Sequence, residues 1–136
     1  EFRRVLFRSY AYKIINRYVF NNSLRRPPIE IGITRDYWGV CEGMEYETAH
    51  GTACTMKISD KYYCPQWFMN TLAHEMVHQY QWDIIGPERE KNGKDWLMSH
   101  GPSFFQFKDE LKIHNISLKT AHSQRRWFKH QNLFKA

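Results

Sequence analysis

"LAHEMVHQYQ", residues 72–81, sets two histidines four residues apart, with a glutamate directly after the first. On a helix, residues i and i+4 project from one face a turn apart. His74 and His78 can then each give a ring nitrogen to one Zn2+ at about 2.0–2.1 Å. Glu75 lies about 100° round the helix from His74. From there a carboxylate can take a proton from a metal-activated water without being a ligand itself. In a chain of this composition such a match arises by chance about 2–3% of the time, so the surrounding residues must decide.

They favour a helix. Pro65 suits a first helical turn, where its missing N–H has no partner to lose. Nothing from Gln66 to Ile85 breaks a helix before Gly86-Pro87. Phe68, Leu72 and Met76, with Met69, Ala73, Val77 and Tyr80 beside them, form a broad apolar face that predicts a central helix. Zinc normally takes a third protein ligand and keeps one position open. His100 stands directly before Gly101-Pro102, the predicted start of a second helix running through "SFFQFKDELKI", and can approach from the facing element. The alternatives are structural: a buried polar network for His74 and His78, a salt bridge for Glu75, a loop role for His100. His50, His114, His122 and His130 lack ligand spacing to the motif and are expected at turns or the surface. Trp67 and Trp82 are read as packing residues.

Upstream, "YAYKIINRYVFNNSL" carries Tyr10, Ile14, Tyr18, Ile15 and Val19 at helical spacing, ended by Asn21, Asn22 and Pro27-Pro28. "IEIGIT" alternates Ile29, Ile31 and Ile33 with Glu30, Gly32 and Thr34, as a strand with one buried face does. Trp38–Glu42 and Glu45–Ala49 are weaker strand candidates, His50-Gly51 is a turn, and "TACTMKIS" turns Cys54, Met56 and Ile58 inward. "PEREKNGKD" (87–95) reads as a polar loop. The expected class is α+β: a first helix, a small sheet of three or four strands, the motif helix, and a further helix with the third histidine at its start.

"TLAHEMVHQYQ" followed by "SHGPSFFQF" resembles the SprT-like (Spartan-type) zinc metalloprotease family, whose pattern is HExxH on a helix and then HGxxF. It matches at His74, Glu75, His78, His100, Gly101 and Phe104. "YVFNNSL" and the Ile29–Thr34 strand resemble that family's opening helix, Phe-Asn pair and first strand. The resemblance covers about residues 10–113. It implies a zincin-like minimal protease with zinc held by His74, His78 and His100, Glu75 as base, and substrates that are proteins bound or crosslinked to DNA. Two features depart from the family. No cysteine zinc ribbon follows, and the spacer from His78 to His100 is long, residues 79–99, with 87–95 read as an inserted loop.

Composition bounds the rest. The 136 residues suffice for one domain with a modest core. No eighteen-residue apolar run suggests a membrane span, and no apolar segment precedes a signal-type cleavage site. Three scattered cysteines (Cys41, Cys54, Cys64) exclude both a disulfide framework and a cysteine-built zinc ribbon and are read as small core residues. The opening "EFRRVLFRS" is the literal translation of GAGTTCAGACGTGTGCTCTTCCGATCT, a common sequencing-library adapter. Residues 1–9 are therefore read as an artefact of a metagenomic-type assembly and set aside, the alternative being a genuine basic amphipathic N-terminus. Without their three Arg and one Glu the net charge falls from +6 to +4. Residues 10–116, the expected protease domain, hold twelve basic and thirteen acidic groups; residues 117–136 hold five basic and none acidic. The basicity thus belongs to the tail.

The resulting expectation is an intracellular (cytoplasmic), monomeric zinc endopeptidase of bacterial or phage-like origin, acting on protein or peptide without membrane association. The tail residues Lys119, Arg125, Arg126, Trp127 and Lys129 would add affinity for single-stranded DNA, cations meeting phosphates and aromatics stacking on bases. The alternative for the tail is an amphipathic helix docked on the core. The alternatives for the whole chain are a nucleic-acid-binding module with structural zinc, and an inactive fragment. An edge strand within Glu45–Ile58 is expected to bind extended substrate.

Overall fold

Residues 2–32, 39–43, 54–59, 65–86 and 100–119 are described by the computed structural model. Helix α1 (Phe2–Val19) has no glycine or proline to interrupt it. It begins at Phe2 rather than Tyr10, so its backbone runs through the segment set aside above. The expected stripe holds at Ile15 and Val19 and needs correction at Tyr10, Ile14 and Tyr18. Ala11, Tyr12, Ile15 and Val19 form the buried face, whereas Tyr10, Ile14 and Tyr18 stay about half exposed. Two stripes at i, i+4 spacing run side by side here, and the one holding a small alanine is the one that seats closely on the neighbouring helix. The helix ends where Asn21 and Asn22 adopt positive φ (53° and 59°), a conformation asparagine tolerates better than most residues. Asn16 braces the exit, donating to the Leu24 carbonyl (2.8 Å) and accepting from its amide (3.1 Å).

The three described strands form one mixed sheet in the order β1-β3-β2. β1 (Ile29–Gly32) lies parallel to β3 (Cys54–Ser59), with Ile31 opposite Ile58. β2 (Gly39–Gly43) runs antiparallel to β3, with Cys41 opposite Met56. Cys54, Met56 and Ile58 are buried and Lys57 is exposed, as the alternation requires. β3 is therefore the central strand, so the part of the expected substrate-binding edge that falls on Cys54–Ile58 is corrected: both its sides are paired. Ile33, Thr34, Glu45–Ala49 and the His50-Gly51 turn lie outside the described residues.

Helix α2 (Pro65–Tyr80) is buried along residues 71–79, as expected of a helix in the middle of a small domain. Phe68, Leu72, Ala73, Met76 and Val77 join Ile15, Met56, Ile58, Phe104 and Leu111 in one core. Each large apolar side chain so buried contributes about 1.5–3 kcal/mol. Beyond Tyr80 the helix widens into a π-helical turn, Gln81–Ile85. The second predicted helix divides into α3 (Pro102–Phe105) and α4 (Lys108–Ile113). At the break, the Gln106 side chain donates to the Ser103 carbonyl (2.7 Å), and Phe107 packs between Phe20 and Tyr80 (4.7 and 4.8 Å). Among the described residues no helix is long and apolar enough to cross a membrane.

Candidate metal centre

Two stretches of chain converge on one point. α2 supplies His74 and His78 from successive turns, and the residue entering α3 supplies His100. Gly101 is extended (φ −93°, ψ −157°) and Pro102 opens the helix, which turns His100 back towards α2. The Nε2 atoms of His74 and His78 are 3.1 Å apart, and those of His74 and His100 3.3 Å apart. All three residues offer ligand atoms within 4.8 Å of one another. Phe104, fully buried, lies under all three rings at 4.8, 5.0 and 4.7 Å between centroids. This accounts for a phenylalanine four residues after His100: one ring fixes the floor against which three imidazoles stand.

The outer nitrogens set the tautomers. His74 Nδ1 is 2.8 Å from the Lys119 carbonyl, which can only accept, so Nδ1 carries the proton. His78 Nδ1 lies 2.7 Å from the Gln81 amide oxygen, again an acceptor. Where both rings are neutral, each directs an Nε2 lone pair towards the other, and a cation between them would draw on both. The spacings match about 3.3–3.4 Å, the edge of a tetrahedron with zinc–nitrogen arms of 2.0–2.1 Å. Burial reinforces the neutral forms: it pushes His78 down to about 4, with Gln81 opposing and His100 adding to the shift, and it lowers His100 as well. Three such histidines lie close enough to hold one metal ion.

Glu75 stands beside this cluster without joining it. Its Oε1 is 3.9 Å from His74 Nε2, and the residue is only 5% exposed. Burial pushes its carboxyl up to about 8, against a hydrogen bond from the Cys41 backbone amide that favours the charged form. β2 can approach this closely because residue 39 is glycine: a Cβ there would meet the Thr71 methyl at 2.7 Å and Glu75 Cγ at 3.2 Å.

His114 is exposed, beside Tyr18 (5.9 Å between ring centroids) and 3.9 Å from Glu110, in keeping with a surface role. Cys41 and Cys54 are buried free thiols, whereas Cys64, His50, His122 and His130 lie outside the described residues. So do Arg125, Arg126, Trp127 and Lys129. Lys119 is described, and its backbone rather than its charge meets the site. Ser117–Lys119 run along α2, with the Ser117 amide donating to Asn70 (3.1 Å) and Leu118 buried. Sequence reasoning missed Gln81, Ser103 and the Lys119 carbonyl. A glutamine three residues after the second histidine was a readable signal for the first, but a carbonyl carries none. No family model matches the chain, and no curated protein is similar enough to count as a relative.

Proposed function

We propose that this chain is a zinc-dependent endopeptidase that hydrolyses peptide bonds by metal-activated water. The observation that carries this reading is a buried carboxylate, Glu75, standing next to a three-histidine cluster but outside it. A zinc ion held by His74, His78 and His100 would supply Lewis acidity, polarising the scissile carbonyl and acidifying water. Glu75 takes the water's proton and returns it to the leaving amine, so it must alternate between charged and neutral forms. Its surroundings suit that: burial favours the neutral carboxyl, and the Cys41 amide steadies the carboxylate. Among the described strands, β2 has one unpaired edge and packs beside Glu75. An extended peptide added along that edge would bring its backbone past the catalytic carboxylate.

The resemblance to SprT-like proteases adds the substrate class, proteins bound or crosslinked to DNA. The basic tail (Lys119, Arg125, Arg126, Trp127, Lys129) adds a means of holding single strands, by phosphate neutralisation and base stacking. The decisive experiment compares wild type with Glu75→Gln for zinc content and for cleavage of a DNA-bound protein. The variant should keep one zinc per chain and lose about 10²–10⁴-fold in rate. Cleavage at the wild-type rate would refute the catalytic role; loss of zinc would turn Glu75 into a ligand and favour a structural metal site.

A further inference from the structure

We propose that Gln81 is a positioning residue of the metal centre. It fixes the ring of His78 with a neutral acceptor and ties that histidine to the segment carrying His100. The inference rests on the metal-centre reading above. Gln81 is 1% exposed and sits where α2 widens into its π-helical turn, a distortion that gathers at functional sites. Its amide oxygen accepts from His78 Nδ1 at 2.7 Å, and its amide nitrogen donates to Ser103 Oγ at 2.8 Å. Ser103 lies in α3, three residues beyond His100. One side chain thus spans the two stretches of chain that bring ligands to the centre.

The choice of an amide has a chemical consequence. Metal-ligating imidazoles commonly donate their second N–H to a carboxylate, which raises ligand basicity, or to a carbonyl, which orients the ring without added charge. Here both helix histidines use neutral acceptors, the Gln81 side chain for His78 and the Lys119 backbone for His74. The two differ in what they permit. A backbone carbonyl only accepts, whereas glutamine accepts with one end and donates with the other. Gln81 therefore orients His78 and also holds α3 at a set distance from α2.

The test uses Gln81→Leu, Gln81→Glu and Ser103→Ala in the full chain. Zinc affinity would be read by competition with a chromophoric chelator, and the His78 tautomer by nitrogen NMR of the metal-free protein. Gln81→Leu should weaken zinc binding about 10–100-fold and lose the Nδ1–H form of His78. Gln81→Glu should restore that tautomer and zinc binding while shifting the acid limb of the pH–rate profile upward, because a charged partner makes the centre a weaker Lewis acid. Ser103→Ala should weaken zinc binding less than Gln81→Leu. A folded Gln81→Leu protein that holds zinc within about twofold of wild type overturns the proposal, as does a wild-type His78 protonated at Nε2. Should Gln81→Leu fail to fold, an unshifted profile in Gln81→Glu overturns it. Wild type that binds no zinc refutes the metal-centre reading instead, and the tautomer then decides the part Gln81 plays.

Discussion

Gln79 and His78 are neighbours on α2, yet the bonds they make differ in kind. The Gln79 amide accepts from Tyr12 Oη (2.6 Å) and donates to the Arg25 carbonyl (2.6 Å) and to Asp83 (3.1 Å). Asp83 in turn meets the Cys54 thiol (3.9 Å). On that side each donor faces an acceptor, so the cluster holds α1, α2 and β3 together with nothing added. On the other side, His74 and His78 satisfy their Nδ1 groups and bring their Nε2 atoms within 3.1 Å of each other. The first region is held by direct bonds between side chains and backbone, whereas in the second three histidines lie close enough to hold a metal ion.

That contrast can be broken from either side. The largest effect should follow His100→Ala. Removing a ligand should weaken zinc binding by more than the ~10–100-fold typical of outer-shell partners, measured by chelator competition, while leaving the melting temperature of the metal-free protein nearly unchanged. Gln79→Ala should do the reverse. It leaves the Tyr12 hydroxyl only its longer bond to the Arg25 carbonyl (3.3 Å) and should cost about 1–3 kcal/mol in urea unfolding of the metal-free protein, with zinc stoichiometry intact. Gly39→Ala should cost about 2 kcal/mol by overpacking β2 against Thr71. It should also slow cleavage, because the Cys41 amide moves away from Glu75.

The last test is a pH dependence, and it sharpens the comparison because the two groups titrate in opposite senses. In the metal-free protein burial raises Glu75 from 4.5 to about 8, so its contribution to stability is present below pH 4.5 and lost as pH rises through 8. Burial lowers His78 from 6.5 to about 4, so its contribution is present above pH 6.5 and lost as pH falls through 4. Glu75→Gln removes only the first slope. Between pH 5 and 8 the chelator-treated variant should become steadily more stable than wild type; parallel stability curves would mean that Glu75 is not desolvated in the folded state.

Much of this was readable from residues alone, for physical reasons that differ from element to element. Pro65, the unbroken run to Gly86 and the i, i+4 histidines define α2 because helix starts, stops and periodicity are local properties. His100 was readable because Gly-Pro marks a helix start that turns the chain. The alternation of Cys54, Met56 and Ile58 identified a strand, but the order of strands is set by partners distant in sequence, so β3 could not be recognised as central. The buried face of α1 was read only in part, at Ile15 and Val19, because Tyr10, Ile14 and Tyr18 are as apolar as the face that packs. The partners of His74 and His78 were missed for different reasons: the Lys119 carbonyl leaves no signal in a sequence, and Gln81, though spaced to be read, lies in a π turn, which departs from the 3.6-residue periodicity by which helices are read.

The hydrogen bond from His74 to the Lys119 carbonyl has a consequence for mutational tolerance. Every amino acid carries that carbonyl, so a substitution scan at residue 119 should read as flat for zinc retention whichever side chain is installed. Ending the chain at Ile116 should release the metal more readily, although no ligand and no catalytic side chain would have been touched. For the metal centre, position 119 is thus dispensable as a letter and required as a length of chain.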